Sequence, residues 1–229
     1  MTQITLYRAD LACSWVPHAL LRHLSIPFTD VPLRSRPDDG RYEAADGSFT
    51  HEEYRRDVHP DGYVPSLAVD GEVVTETPAV LAMIAQLAPG GAAMLGRTPL
   101  ERVRVVEWLA WLSGPLQAAG FKAYWRPGRS FVDGHGHEEA HPAIREKGRR
   151  VIEACFERVE ERLRGRRYAV GGDAPTVVDI SLYLFWVWGN FIEIPMGQRF
   201  PAWAEVLRRV MTLQGVREAA EAEGMTLYF

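Results

Sequence analysis

With 229 residues, 47% of them hydrophobic and 24% charged, the chain has enough apolar material for a buried core, in one large domain or two smaller ones. Its formal net charge is −4 and its basic residues are scattered among acids, which speaks against nucleic acid and membranes as partners. Two cysteines fit a reducing cytosol better than a disulfide scaffold, no basic leader precedes the first apolar stretch, and the longest apolar run, Ile180 to Ile194, is broken by Asn190 and Glu193. The expectation is a cytoplasmic protein.

In chain order, Ile4–Tyr7 reads as a buried strand that hands over to a helix spanning Trp15–Leu24. Cys13 falls at this junction. Backbone N–H groups and the positive end of a helix dipole would lie beside its sulfur, favouring a thiolate; taken alone, Cys13 reads more readily as a small buried hydrophobe than as a nucleophile. Phe28–Leu33 is a second strand. A polar stretch from Arg36 to Asp61 follows, with a weak helix at His51–Val58. Ser66–Val69 and Val73–Thr75 form a hairpin through Asp70-Gly71, both residues tolerating positive φ. A helix over Pro78–Leu87 closes a β-α-β-α-β-β-α unit in which helices cover a small mixed sheet.

Pro89-Gly90-Gly91 breaks the chain, and everything beyond has helical period: Pro99–Leu112, Ala143–Arg164, Val177–Trp188, Pro201–Met211 and Gly215–Ala222. Cys155 sits on the apolar stripe of the second of these and reads as core. The fold class is α/β plus all-α, with an N-terminal unit over residues 1–86, a linker over 87–97 and a helical domain over 98–229.

Two further features carry chemistry. Val64-Pro65 stands at the mouth of a strand, where a cis bond would turn the N–H and C=O of Val64 outward for an extended peptide; a plain loop proline is the other reading. Thr77 reads as the N-cap of the helix beginning at Pro78, leaving N–H groups for a carboxylate, with Glu76 beside it for an ammonium. His137-Glu138-Glu139-Ala140-His141 matches the two-histidine pattern of zinc proteases, but Pro142 disfavours helical geometry at His141 and Gly134 and Gly136 loosen the other side, so no metal is expected. Val16 occupies the partner position of a C-x-x-C motif, which disfavours a dithiol oxidoreductase.

Together, the Ala12–His18 segment with Tyr7, the stretch His59–Leu67, Thr75-Glu76-Thr77, and Tyr168–Gly172 leading to Thr176–Asp179 resemble the glutathione transferases, most nearly the bacterial cysteine-type (beta-like) branch. The resemblance implies a thioredoxin-like domain that binds glutathione as co-substrate, then a helical domain that supplies a pocket for a small hydrophobic electrophile, in a homodimer. Cys13, Ser14 and Tyr7 are the implied catalytic candidates. Val64, the cis Pro65, Glu76, Thr77 and Arg36 would hold glutathione, with Arg36 at its glycyl carboxylate. Trp15, Trp111, Gln117, Tyr124 and Trp125 are expected to face the acceptor pocket. Gln117 stands where the branch commonly carries a histidine, and it donates a hydrogen bond without serving as a base. In the last motif Asp179 reaches back to the helix cap at Thr176, a structural device. Conjugation is the leading activity; thiol transfer through a mixed disulfide at Cys13 and a non-catalytic binding module are the alternatives.

Overall fold

A computed structural model describes residues 2–36, 40–131 and 137–226. Asp38, within the polar stretch, and Gly134 and Gly136, beside the histidine pair, lie outside the described residues. Five strands form one sheet in the order β3-β2-β1-β4-β5. Strand β1 (Ile4–Ala9) is central, pairing parallel with β2 (Thr29–Ser35) and antiparallel with β4 (Ser66–Val69). The outer strands β3 (Tyr42–Ala44) and β5 (Glu72–Thr75) pair antiparallel with β2 and β4. The β4–β5 hairpin turns on Asp70 and Gly71 at φ +49° and +90°, a two-residue turn whose positive φ values match the strand twist.

Helix α1 (Trp15–His23) buries Trp15, Val16, Ala19, Leu20 and Leu21, and it packs on α3 (Thr77–Leu87), α7 (Val177–Phe191) and α10 (Gln214–Ala222). The approach to α10 is close: a Cβ on Gly215 would stand 2.1 Å from the His23 nitrogen. One core therefore runs from Ile4 through both halves to Met225. Helix α2 (His51–Asp57) begins with a reciprocal capping box between Thr50 and Glu53, the signal behind its weak sequence pattern.

Helix α4 (Pro99–Trp111) does not end near Leu112 as the sequence suggests. It continues as a π-helical segment, Leu112–Phe121, and then α5, Lys122–Trp125. Pro115 lacks an N–H and would clash with the carbonyl four residues back in a regular α-helix, and the wider π turn accommodates it. Helix α6 (His141–Leu163) crosses this segment tightly. A Cβ on Gly148 would lie 2.8 Å from the Tyr124 nitrogen and 2.9 Å from the Gly120 carbonyl oxygen. His141 is itself helical at φ −56°, ψ −42°, so Pro142 does not exclude it; His137, at φ +55°, lies outside the helix and stacks on Phe131. The two imidazoles thus do not share one helical face. Short helix α8 (Met196–Arg199) and α9 (Pro201–Val210) complete the second half.

At the start of α7 the Asp179 carboxylate accepts the Thr176 N–H at 2.7 Å, the Thr176 hydroxyl at 3.0 Å and the Ala169 N–H at 2.8 Å. This buried carboxylate ties the 168–176 loop to the helix.

Candidate active site

The end of β1, the start of α1, the loop before β4, the start of α3 and the π segment converge on a cavity of about 650 Å³. Its wall brings together Cys13, Val64, Pro65, Glu76 and Thr77 from the first half with Gln117 and Trp125 from the second. The Val64–Pro65 bond is cis. Behind it, the buried Tyr54 hydroxyl donates to the Tyr63 carbonyl at 2.8 Å and bonds Ser66 Oγ at 2.9 Å, so one side chain holds both flanks of that bond. Burial pushes the Tyr54 phenol well above its ordinary value.

The thiol of Cys13 donates to the Val64 carbonyl at 3.0 Å. Burial pushes this thiol up from its ordinary value, against hydrogen bonds from Gln117, Thr77 and the backbone N–H groups of Cys13 and Ser14. Enclosure outweighs the helix end that the sequence reading expected to favour a thiolate. The preceding loop is held from the far end of the chain. Leu11, at φ +59°, gives its N–H to Glu223 Oε2 at 2.9 Å, and its carbonyl accepts from Trp188 Nε1 at 2.9 Å. Glu223 also meets buried His18 at 2.7 Å and lies 3.7 Å from Arg8, whose guanidinium pairs with Asp30.

Helix α3 begins at Thr77, so Glu76, at φ +67°, occupies the cap position that the sequence assigns to Thr77, and it makes no side-chain cap bond. Its exposed carboxylate is left facing the cavity beside the start of the helix.

Six expected site residues lie elsewhere. Ser14 is fully buried; its hydroxyl accepts the Ala9 N–H at 3.0 Å and donates to the Ala9 carbonyl at 3.1 Å, closing the strand-to-helix loop. Tyr7 turns to a side cluster with Phe49 and Tyr54, at centroid distances of 6.3 and 5.8 Å. Trp15 is fully buried against Tyr183, 5.5 Å away, because its face of α1 points into the core. Trp111 packs edge-on to Trp108 under Arg158, and Tyr124 backs onto α6 at Gly148. Arg36 is outside the cavity wall; its N–H joins the Arg41 carbonyl at 2.7 Å at the end of β2.

In their place the cavity gains residues that the sequence reading did not single out for the site. Tyr42 comes from the unforeseen strand β3, Lys122 from the unforeseen helical continuation, and Arg126 and Arg129 from the turn just beyond it. Arg126 donates to the Gly40 carbonyl at 3.2 Å. Phe121 sits 4.8 Å from Trp125 and 5.1 Å from Trp188, forming an aromatic wall. His59, placed in the motif stretch without a role, also lines the cavity, held below the ordinary imidazole range by burial, with Asp61 and Glu76 pulling the other way. A signal existed for the cations: Lys122, Arg126 and Arg129 recur at helical spacing beside Trp125.

The chain matches the family model "Glutathione S-transferase, C-terminal domain" over residues 142–209. It is 26% identical to glutathione S-transferase GstA of Escherichia coli O157:H7, across 93% of this chain and 96% of that one. It is 30% identical to a glutathione S-transferase-like protein of Aspergillus aculeatus, across 69% of this chain and 74% of the relative. Among solved structures, a sphingomonad glutathione S-transferase complexed with glutathione superposes with a TM-score of 0.77 at 25% identity, covering 97% of this chain and all of that one. Sequence, fold and site geometry converge: this chain belongs to the glutathione transferase superfamily.

Proposed function

We propose that the chain joins the thiolate of glutathione to small hydrophobic electrophiles. The observation that carries this reading is the single cavity in which Cys13, Val64 beside its cis proline, Glu76 and the start of α3 face an aromatic wall from the second half. Glutathione would lie across the first half as an added strand, its cysteinyl backbone paired with Val64. Its γ-glutamyl carboxylate would meet the N–H groups at Thr77, with its ammonium against Glu76. We assign its glycyl carboxylate to Arg126 in place of Arg36, because Arg126 lines the cavity and Arg36 does not.

In the reaction the glutathione thiol gives up its proton to solvent, and its sulfur is held by the N–H groups at the start of α1 and by the Gln117 amide. The C–S bond forms as the leaving group departs with its electron pair. Steady-state turnover of a chlorinated dinitrobenzene with glutathione, alongside calorimetric titration of glutathione, tests this; absence of glutathione binding overturns it.

A second reading is favoured by one contact. The Cys13 sulfur occupies the Val64 carbonyl at 3.0 Å, the group that the cysteinyl part of glutathione would reach. In thiol transfer the Cys13 thiolate attacks a disulfide of glutathione, forming a mixed disulfide and releasing one thiolate. Cys13→Ala separates the two readings. Conjugation is expected to stay within a few-fold of the unaltered chain, because glutathione supplies the attacking sulfur and burial pushes the Cys13 thiol up, and loss of all activity would establish thiol transfer instead.

The domain division at 1–86, 87–97 and 98–229 and a cytoplasmic location belong to the same proposal. So does a homodimer. Leu100, Val103 and Val106 are 66%, 64% and 67% exposed along α4, an apolar stripe that a second copy would cover. No described helix is long and apolar enough to cross a membrane.

A further inference from the structure

The segment that closes the cavity is cationic as well as aromatic. Lys122 from α5, Arg126 just beyond its end and Arg129 from the short turn that follows line it, with Trp125 38% exposed at the cavity edge. Among the described lining residues the acids are Asp10 and Glu76. Asp10 is paired with Arg8, and Glu76 is assigned to the glutathione ammonium. The described stretch from Ser113 to Arg129 contributes no carboxylate to the wall. Glutathione presents one glycyl carboxylate to this side, which we assign to Arg126, so glutathione does not require the Lys122 ammonium.

Lys122 also borders a second opening. A second pocket of about 330 Å³ opens off the first and shares Tyr63, Lys122 and Arg129 with it. It adds Arg41, His51 and Arg55, with Asp61 as its one acid among the described lining residues. Tyr63 is 41% exposed under the Arg129 guanidinium, 5.5 Å from its ring centroid. An apolar acceptor needs the aromatic wall but gains nothing from an ammonium at the mouth, whose partial desolvation on binding costs free energy when it meets no anion.

We infer that the preferred acceptor is an aromatic electrophile bearing an acidic group, a carboxylate or sulfonate, with its ring against Trp125 and its anion on Lys122 at the entrance to the second pocket. This rests on the transferase reading above and names the substrate class of that site. In the reaction the glutathione thiolate attacks the ring carbon that carries the halide. The C–S bond forms, the halide leaves with its electron pair, and the acidic group is unchanged. Ring stacking and a charge-assisted contact together select such a ligand over its neutral analogue.

The test compares kcat/KM for a chlorodinitrobenzoate and for its neutral methyl ester at saturating glutathione. The unaltered chain is expected to prefer the acid. Lys122→Met should lower the acid-to-ester ratio about tenfold, the worth of one charge-assisted contact. Lys122→Glu should lower it further and Lys122→Arg should largely restore it. An unchanged ratio in Lys122→Met overturns the inference, as does a loss that appears only as a raised KM for glutathione with both acceptors, which would place the glycyl carboxylate on Lys122. Turnover of the ester without preference for the acid overturns the inference and leaves the transferase reading standing. Turnover of neither overturns the inference, and only absence of glutathione binding removes the transferase reading with it.

Discussion

Asp179 sits between two opposed forces. Three donors hold its carboxylate, but complete burial dominates and pushes its pKa up to about 6 from 3.8. Because the folded value is raised, the native chain binds the proton more tightly than the unfolded chain between those two values. The contribution of this group to stability is therefore full below about pH 4 and declines as pH rises through 6. Relative to Asp179→Asn, which cannot titrate, the unaltered chain is expected to lose on the order of 3 kcal/mol between pH 4 and pH 7, read from urea midpoints. A difference between the two chains that does not change with pH would refute this. Residue type was enough to find Asp179, because a cap three residues upstream is a local pattern. Val64-Pro65 and Glu76-Thr77 stood out by residue type too, but the cis bond was one of two open readings and the cap falls on Glu76, not on Thr77. Ser14 and Trp15 show the limit: both lie within two residues of Cys13 in sequence, but Ser14 turns into the strand-to-helix loop and Trp15 into the core, away from the sulfur. Adjacency along a helix is not adjacency on a face.

At the scale of elements, the cavity depends on the π segment, and that segment depends on glycine. Gly148 lets α6 approach the backbone at Gly120 and Tyr124, directly behind the turn that carries Gln117 and Phe121. Gly148→Ala would set a methyl group against two backbone atoms that cannot swing aside. The expected cost is about 1–3 kcal/mol, with a larger fractional loss of conjugation than Ser113→Ala produces, measured by thermal unfolding and by kcat/KM. The strands and helices of the first half were largely legible, since β1, α1, β4, β5 and α3 each carry clean alternation or amphipathic period. Strand β3 was not, because three residues give too short a pattern. Helicity beyond Leu112 was missed because Gly114-Pro115 is ordinarily a helix break, and only packing against α6 decides otherwise. The missed segment supplies the cations of the cavity, so the acceptor side of the site was the part least readable from sequence.

For the whole molecule, the decisive contact is the one between the loop before Cys13 and the far end of the chain. Trp188 and Glu223 satisfy the carbonyl and N–H of Leu11, whose left-handed backbone would otherwise relax. Trp188→Phe keeps the aromatic packing and removes the donor. It is expected to raise KM for glutathione several-fold at a cost of about 1 kcal/mol in stability. Glu223→Ala should be far more damaging, about 3 kcal/mol or more, since it leaves Arg8 and His18 buried without their shared carboxylate. Equal stability losses in the two variants would argue against this division of labour. There is also a consequence for biosynthesis. Cys13 is translated long before Glu223, the carboxylate that shapes its surroundings, so the first half can leave the ribosome before residue 223 is made. Nascent chains, and chains clipped upstream of Glu223, would carry the thiol without the geometry that gives it a purpose.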